Sequence, residues 1–420
     1  MEGDHGIIIV GGGICGLATA LALHRKGIPS LVVEKSETLR ADVSKAHMLR
    51  LKTLAYIFKG YHYLRRRVLE NRLRNKNWSM GTPWRHWMVR PTYRYLNLWP
   101  KGNKRSLTPI RHELRCLKRK DLIDTLAKNI PAETFRFGCH IASIHSDTGS
   151  HATVLKTVNG GTMKAKVLIG CDGANSVVAK YLGLSVPKKI PRMILRGFTR
   201  YPQAHPFGTE FIRIIGGDFV FGCLPITDNL VGFFVDCSDP PADMFDDMSI
   251  LKDFVLNKLR EFPAAVTGVI QNSDPESLHV ATKFYYRHLC QVMFGSFQKG
   301  PVTVAGDAMH VMGPFIGQGG SAGLEDAIVL ARWLWRAMPR GLDVEGAGSS
   351  GVPRAKMVSA AIREYIQERR LRVALLSMEA FVVGALMRAK TGVAKVCCII
   401  VLAILGHKSL RHTNYDCGRL

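Results

Sequence analysis

The 420-residue sequence predicts an α/β fold with a parallel sheet, an inserted antiparallel sheet and a helical C-terminal region. Three observations predict it. An apolar strand at the N-terminus runs into a glycine-rich turn and then a helix. Two later apolar strands end in Asp172-Gly173 and Gly306-Asp307. Between them, from about residue 187 to 290, short β-rich runs alternate with turn residues.

Residues 7–10 (Ile-Ile-Ile-Val) read as a buried parallel strand leading into Gly11, Gly13 and Gly16, which fit G-x-G-x-x-G spacing around Ile14 and Cys15. Residues 17–26 read as a helix, with Leu17, Ala20, Leu21 and His24 at helical spacing. Gly11 permits the tight turn, Gly13 lets a pyrophosphate approach the backbone, and Gly16 lets helix and strand pack closely. The helix N-terminus offers free N–H groups and a positive dipole end. A second strand, residues 31–33, ends at Glu34, where a carboxylate can accept ribose hydroxyls. A bare glycine motif is weak evidence. With strand, helix, second strand and acid in register it predicts a Rossmann-like dinucleotide site, without separating NAD from FAD.

Bulk composition bounds the rest. Apolar content of 47% is ordinary for a globular core. Ten scattered cysteines with no C-x-x-C pair argue against zinc or a disulfide framework and favour reduced thiols. The first strand lies close to Met1, leaving no room for a signal or transit peptide, which predicts a cytoplasmic location. The net charge of +25 suggests nucleic acid or an anionic membrane surface only if evenly spread. It is not: residues 41–95 carry 13 Lys/Arg against Asp42 and Glu70, so +11 sits in one aperiodic, tryptophan-bearing block. No nucleic-acid partner is therefore expected, and the block reads as an irregular insertion.

Residues 114–128 show one apolar helical face, stopped by Pro131. Residues 153–158 and 162–169 flank Asn159-Gly160-Gly161 as a hairpin, whose second strand flows into Asp172-Gly173. Runs 210–215, 219–223 and 230–235 predict the antiparallel sheet, interrupted by a helix over about 250–262. Residues 301–305 form another buried strand entering Gly306-Asp307. The loop Pro314-Phe-Ile-Gly317-Gln318-Gly319-Gly320 then feeds a helix from about 324 to 338, making a second nest for an anion or carbonyl. Asp307 cannot hold a phosphate by charge and is cast as an acceptor for ribose or ribityl hydroxyls. His310 is a weak catalytic candidate, because a lone loop histidine is more often a structural hydrogen bonder. Residues 339–353 read as a flexible linker. The apolar run 396–405 falls short of the roughly 20 residues a span needs. It reads first as a buried or peripheral helix and second as an interfacial membrane contact.

Three glycine–acid motifs in this order resemble the signature of single-component FAD monooxygenases, the group of aromatic hydroxylases such as salicylate hydroxylase. Residues 113–122, 169–180 and 415–418 most resemble the plant monooxygenase 1 type. The likeness covers residues 1–40 and 96–420. It implies that Gly11, Gly13, Ile14, Cys15 and Gly16 hold the FAD pyrophosphate and Glu34 the adenosine ribose. Arg119 would contact the cofactor, and Asp172 and Gly173 would serve both FAD and incoming NAD(P)H. Gly306 and Asp307 would bind ribityl or ribose hydroxyls, while Pro314, Gly317, Gln318, Gly319 and Gly320 line the isoalloxazine. The implied reaction is reduction of FAD by NAD(P)H, reaction with O2 to a flavin hydroperoxide, and hydroxylation of a small aromatic or cyclic substrate. Within enzymes the alternative is a flavin oxidoreductase that inserts no oxygen.

The implied domain plan is 1–186 and 291–345 as two parts of an FAD-binding domain, 187–290 as a substrate domain and 346–420 as a helical C-terminus. Two positions and one segment depart from the family pattern. Ala179 stands where many relatives have Arg, and Ser321 where Asn is common. In 41–95, relatives place a strand, a glycine and a helix. That last departure favours a second alternative, an FAD-binding pseudoenzyme.

Overall fold

The computed structural model describes residues 3–39, 46–50, 95–98, 105–106, 114–147, 152–208, 211–215, 219–237, 247–260, 262, 264–338, 354–389, 391–394, 396–402 and 415–418. Its main sheet runs β18 (Gln298–Lys299), β19 (Val302–Val304), β10 (Thr162–Gly170), β1 (Gly3–Val10), β2 (Leu31–Val33), β7 (Phe135–Arg136). Strands β19, β10, β1, β2 and β7 are mutually parallel. The outer half of β10 pairs antiparallel with β9 (Thr153–Thr157), which pairs with β8 (Ile141–Ser146). The Asn159-Gly160-Gly161 hairpin thus delivers its second strand to the sheet centre. Ile7, Ile8, Ile9, Val167, Leu168 and Ile169 are all essentially inaccessible. A strand covered on both faces needs such an unbroken apolar run.

The helix α1 (Ile14–His24) begins three residues earlier than the apolar spacing predicts, so Gly16 lies in its first turn. It packs against α8 (Gly319–Ala337), which in turn packs on α9 (Arg354–Arg388). The start of α8 is also earlier than the expected 324, because the glycine loop itself coils into the first helical turn. The predicted linker 339–353 lies outside the described residues.

Residues 114–128 do not form one helix. Leu114–Lys118 is a strand, β6, paired antiparallel with β3 (Ala46–Arg50), and only Arg119–Ala127 is helical (α2). A partner about seventy residues upstream decides this, and local periodicity cannot reveal such a partner. The block expected to be irregular therefore contributes one strand, while most of 41–95 lies outside the described residues.

The second sheet runs β16 (His279–Ala281), β12 (Met193–Arg200), β15 (Leu230–Cys237), β14 (Phe219–Thr227), β13 (Phe211–Ile215), β4 (Tyr95–Leu98), β5 (Arg105–Ser106). Alternate residues Met193, Leu195, Phe221, Cys223, Val231, Phe233 and Val235 turn one face toward α4 (Met248–Lys258) and α5 (Ala264–Gln271), forming a second core. The α5 helix was not foreseen. Arg196, Phe198 and Phe234 occupy the other face by strand alternation. A small sheet of β11 (Lys188–Ile190) and β17 (Phe284–Tyr286) lies at the two crossings between the main and second sheets. The short helices α3 (Val177–Tyr181), α6 (Leu289–Phe294) and α7 (Asp307–His310) complete the order.

Candidate cofactor-binding site

The carboxyl ends of β19, β10, β1 and β2 stand side by side, with Val304 beside Gly170, Gly170 beside Val10, and Val10 beside Val33. The predicted loops 306–307, 172–173 and 11–16, and Glu34, therefore open along one edge of one sheet. Ligands of open α/β sheets bind at that edge.

At Gly11 φ is 103°, a region side chains rarely adopt, and a Cβ would lie 2.6 Å from the Cys171 carbonyl oxygen. Gly16 packs directly on the Gly11 carbonyl. Both are demands of the fold. Gly13 differs: its φ is −79°, and a Cβ there would meet nothing within 4 Å. It faces open space before the N-terminus of α1, which has no side-chain cap. A pyrophosphate fits that space and those free donors. Ile14 is buried, and Cys15 packs on Gly306 with its Sγ 3.8 Å from that of Cys171. That contact, with burial, raises the Cys15 pKa well above the usual value. Both side chains serve packing and leave only their backbone to a ligand.

Glu34 is buried, accepting from Gly12 N–H at 2.7 Å and from Ser36 N–H at 3.0 Å. A carboxylate has about four lone-pair sites, so capacity for ribose hydroxyls remains. Asp172 has a more local task than expected. Its oxygens accept from Ser176 Oγ at 2.5 Å and Val177 N–H at 2.7 Å, capping α3. Desolvation raises its pKa against these hydrogen bonds. Gly173 is half-buried at φ 81°, with open space before it. Ala179 is buried inside α3 and Lys180 is exposed beside it, so neither stands in for an arginine at the crevice.

Asp307 is exposed to solvent although protein surrounds it, as a group on a crevice wall must be. Its carboxylate accepts no hydrogen bond among the described residues. Desolvation raises its pKa, opposed by the charges of His310 and Arg119, which places Arg119 within electrostatic reach. Pro314–Ile316 forms a 3₁₀ turn ended by Gly317 in the left-handed conformation, and Gln318 caps α8. Gly319 follows with its Cα region facing Asp307, and Gly320 continues the first turn. Gln318 Oε1 and Ser321 Oγ are buried with no partner among the described residues. Two orphaned polar atoms at the start of a 19-residue helix are costly without a ligand, and a polar ring edge lying there would satisfy them.

His310 is completely buried, bonded through Nε2 to Asp326 Oδ2 at 2.6 Å. It faces the interior and is structural, as the sequence favours. Asp326 also accepts Gly306 N–H at 2.8 Å and Arg369 Nε at 2.6 Å. Burial alone would raise its pKa, but His310 and Arg369 outweigh it and hold the carboxylate well below the usual range. Arg369 also pairs with Glu325 at 2.9 Å, and Arg287 Nη2 donates to the Ala308 carbonyl at 3.1 Å. These groups pin the 306–310 loop from behind. Sequence reasoning missed them. The available signal was the adjacent acids Glu325-Asp326 inside a helix otherwise apolar enough to be buried.

The FAD binding domain family matches residues 4–198 and 272–341, leaving out most of the second sheet. The chain belongs to the single-component FAD monooxygenases. Within that family, Monooxygenase 1 of Arabidopsis thaliana is 39% identical, over 99% of this chain and 100% of its own length. Monooxygenase 2 of the same plant is 33% identical, over 100% of this chain and 99% of its own. Among solved structures, Klebsiella pneumoniae HpxO complexed with FAD and uric acid has the same fold. Its TM-score is 0.72 at 20% identity, covering 98% of this chain and 97% of that one. An FAD monooxygenase is an oxidoreductase.

Proposed function

We propose that this FAD monooxygenase uses NAD(P)H and O2 to hydroxylate a small aromatic or cyclic molecule. The supporting observation is the crevice itself, where the solvent-facing Asp307 carboxylate stands near the N-terminus of α8, whose Gln318 Oε1 and Ser321 Oγ have no partner among the described residues. When bound, FAD supplies the redox chemistry: it takes electrons from NAD(P)H and activates O2. The chain's own residues have other tasks. The Gly11–Gly16 turn and α1 bind the pyrophosphate, Glu34 takes the ribose hydroxyls, and Asp307 accepts from ribityl hydroxyls, with Arg119 balancing its charge. Pro314, Gly317, Gln318, Gly319 and Gly320 line the ring, and Gly173 leaves room for the nicotinamide donor. Asp326 and Arg369 are positioning residues that hold Gly306. Arg196, Phe198 and Phe234, on the sheet face turned away from α4 and α5, offer apolar and cationic groups to a substrate. For location we assign the reducing cytoplasm, supported by the nine cysteines whose side chains the structure describes, all free.

The test is turnover of the FAD-loaded protein under ¹⁸O2 with NADH or NADPH and a panel of aromatic and heterocyclic compounds. One labelled oxygen in a product is expected. NAD(P)H consumption that yields only hydrogen peroxide across the panel would replace the proposal with the non-inserting oxidoreductase.

A further inference from the structure

Residues 392–394 and 396–402 are helical and stand out from the fold rather than packing into it. Val393 is 76% exposed, Val396 55%, Ile399 54% and Ile400 52%. Of the first expectation for this run, a buried or peripheral helix, the exposure leaves the peripheral one. At 3.6 residues per turn, the exposed positions Val396, Cys397, Ile399, Ile400 and Val401 spread over an arc of about 200°. Val393, in the preceding helical residues, is exposed as well, and Ala394, Cys398 and Leu402 are half-buried. A helix that docks on a protein surface needs an apolar stripe roughly 100° wide. An arc about twice that width suits immersion better than a groove.

Charge identifies the surroundings. From residue 380 to 415 the sequence contains Arg388, Lys390, Lys395, Lys408 and Arg411 and no acidic residue. Among the described residues, no helix is long and apolar enough to cross a membrane. Apolar side chains that need shallow burial, flanked only by cations, match the interface of a bilayer bearing anionic lipids.

We propose that residues 392–402 dock this enzyme on an anionic membrane surface, lying within the interface rather than crossing it. The inference is independent of the substrate assignment. Ile399 and Ile400 are exposed, so replacing them leaves the fold intact, and circular dichroism melting checks that. The full-length protein with FAD is sedimented with vesicles of phosphatidylcholine alone or mixed with phosphatidylserine. Binding to the mixed vesicles is expected to be tighter by about tenfold or more, and to weaken with salt. The Ile399→Asp/Ile400→Asp variant is expected to remain in the supernatant, and Lys390→Glu/Lys395→Glu to lose the preference for phosphatidylserine. Absence of vesicle binding, or equal binding by the aspartate variant, overturns the proposal. Self-association of the wild type, abolished by the same aspartates without vesicle binding, overturns it in favour of a second copy.

Discussion

At Gly13 a requirement of the ligand separates cleanly from a requirement of the fold. Gly13→Val places its side chain in open space at an ordinary φ, so thermal melting of the FAD-free protein should be unchanged while FAD affinity falls by tenfold or more. Gly16→Val, against the Gly11 carbonyl, should instead prevent folding; soluble expression and circular dichroism would show it. Asp326 behaves differently again. Asp326→Asn removes one of the two carboxylates that hold the buried Arg369, with Glu325 remaining, and should cost about 1.5–3 kcal/mol in urea unfolding. Because the folded-state pKa of Asp326 lies below its unfolded value near 3.9, its contribution is complete above about pH 4 and lost as pH falls through the folded value. Wild type should therefore lose more stability than the variant on acidification below pH 4. The three glycines were legible because backbone geometry ties each to a fixed offset. Asp326 was not, since its partners lie on two other segments, Gly306 and His310 on one loop and Arg369 on α9.

Elements with their signal in contiguous residues were legible, and those decided by distant partners were not. Asn159-Gly160-Gly161 announces its hairpin, and Gly160 adopts φ 81° as such a turn requires. Leu114–Lys118 carries apolar residues compatible with either structure, and pairing with Ala46–Arg50 makes it a strand. The helices behind the second sheet are a separate packing unit. Leu251 and Val255 of α4 are wholly buried against it. Leu251→Ala should lower stability by about 2–5 kcal/mol without changing FAD affinity, read by denaturant unfolding beside a flavin titration. A parallel loss of FAD affinity would mean that the two sheets form one cooperative site.

Across the whole molecule, three loops far apart in sequence meet because β1, β10 and β19 are neighbours in one parallel sheet. The order of motifs carried that arrangement into the sequence, whereas side-chain facing in the second sheet emerged only from its register. The sequence concentrates its basic charge in 41–95 and in the C-terminal segment. The central claim is that this fold holds FAD and passes electrons from NAD(P)H to oxygen. It is tested most directly by the absorbance spectrum of the purified protein after FAD addition and gel filtration, followed by NAD(P)H without air and then with it. The account predicts retained oxidised flavin that bleaches with NAD(P)H and recovers when air is admitted. A folded protein that retains no flavin at saturating FAD would contradict it.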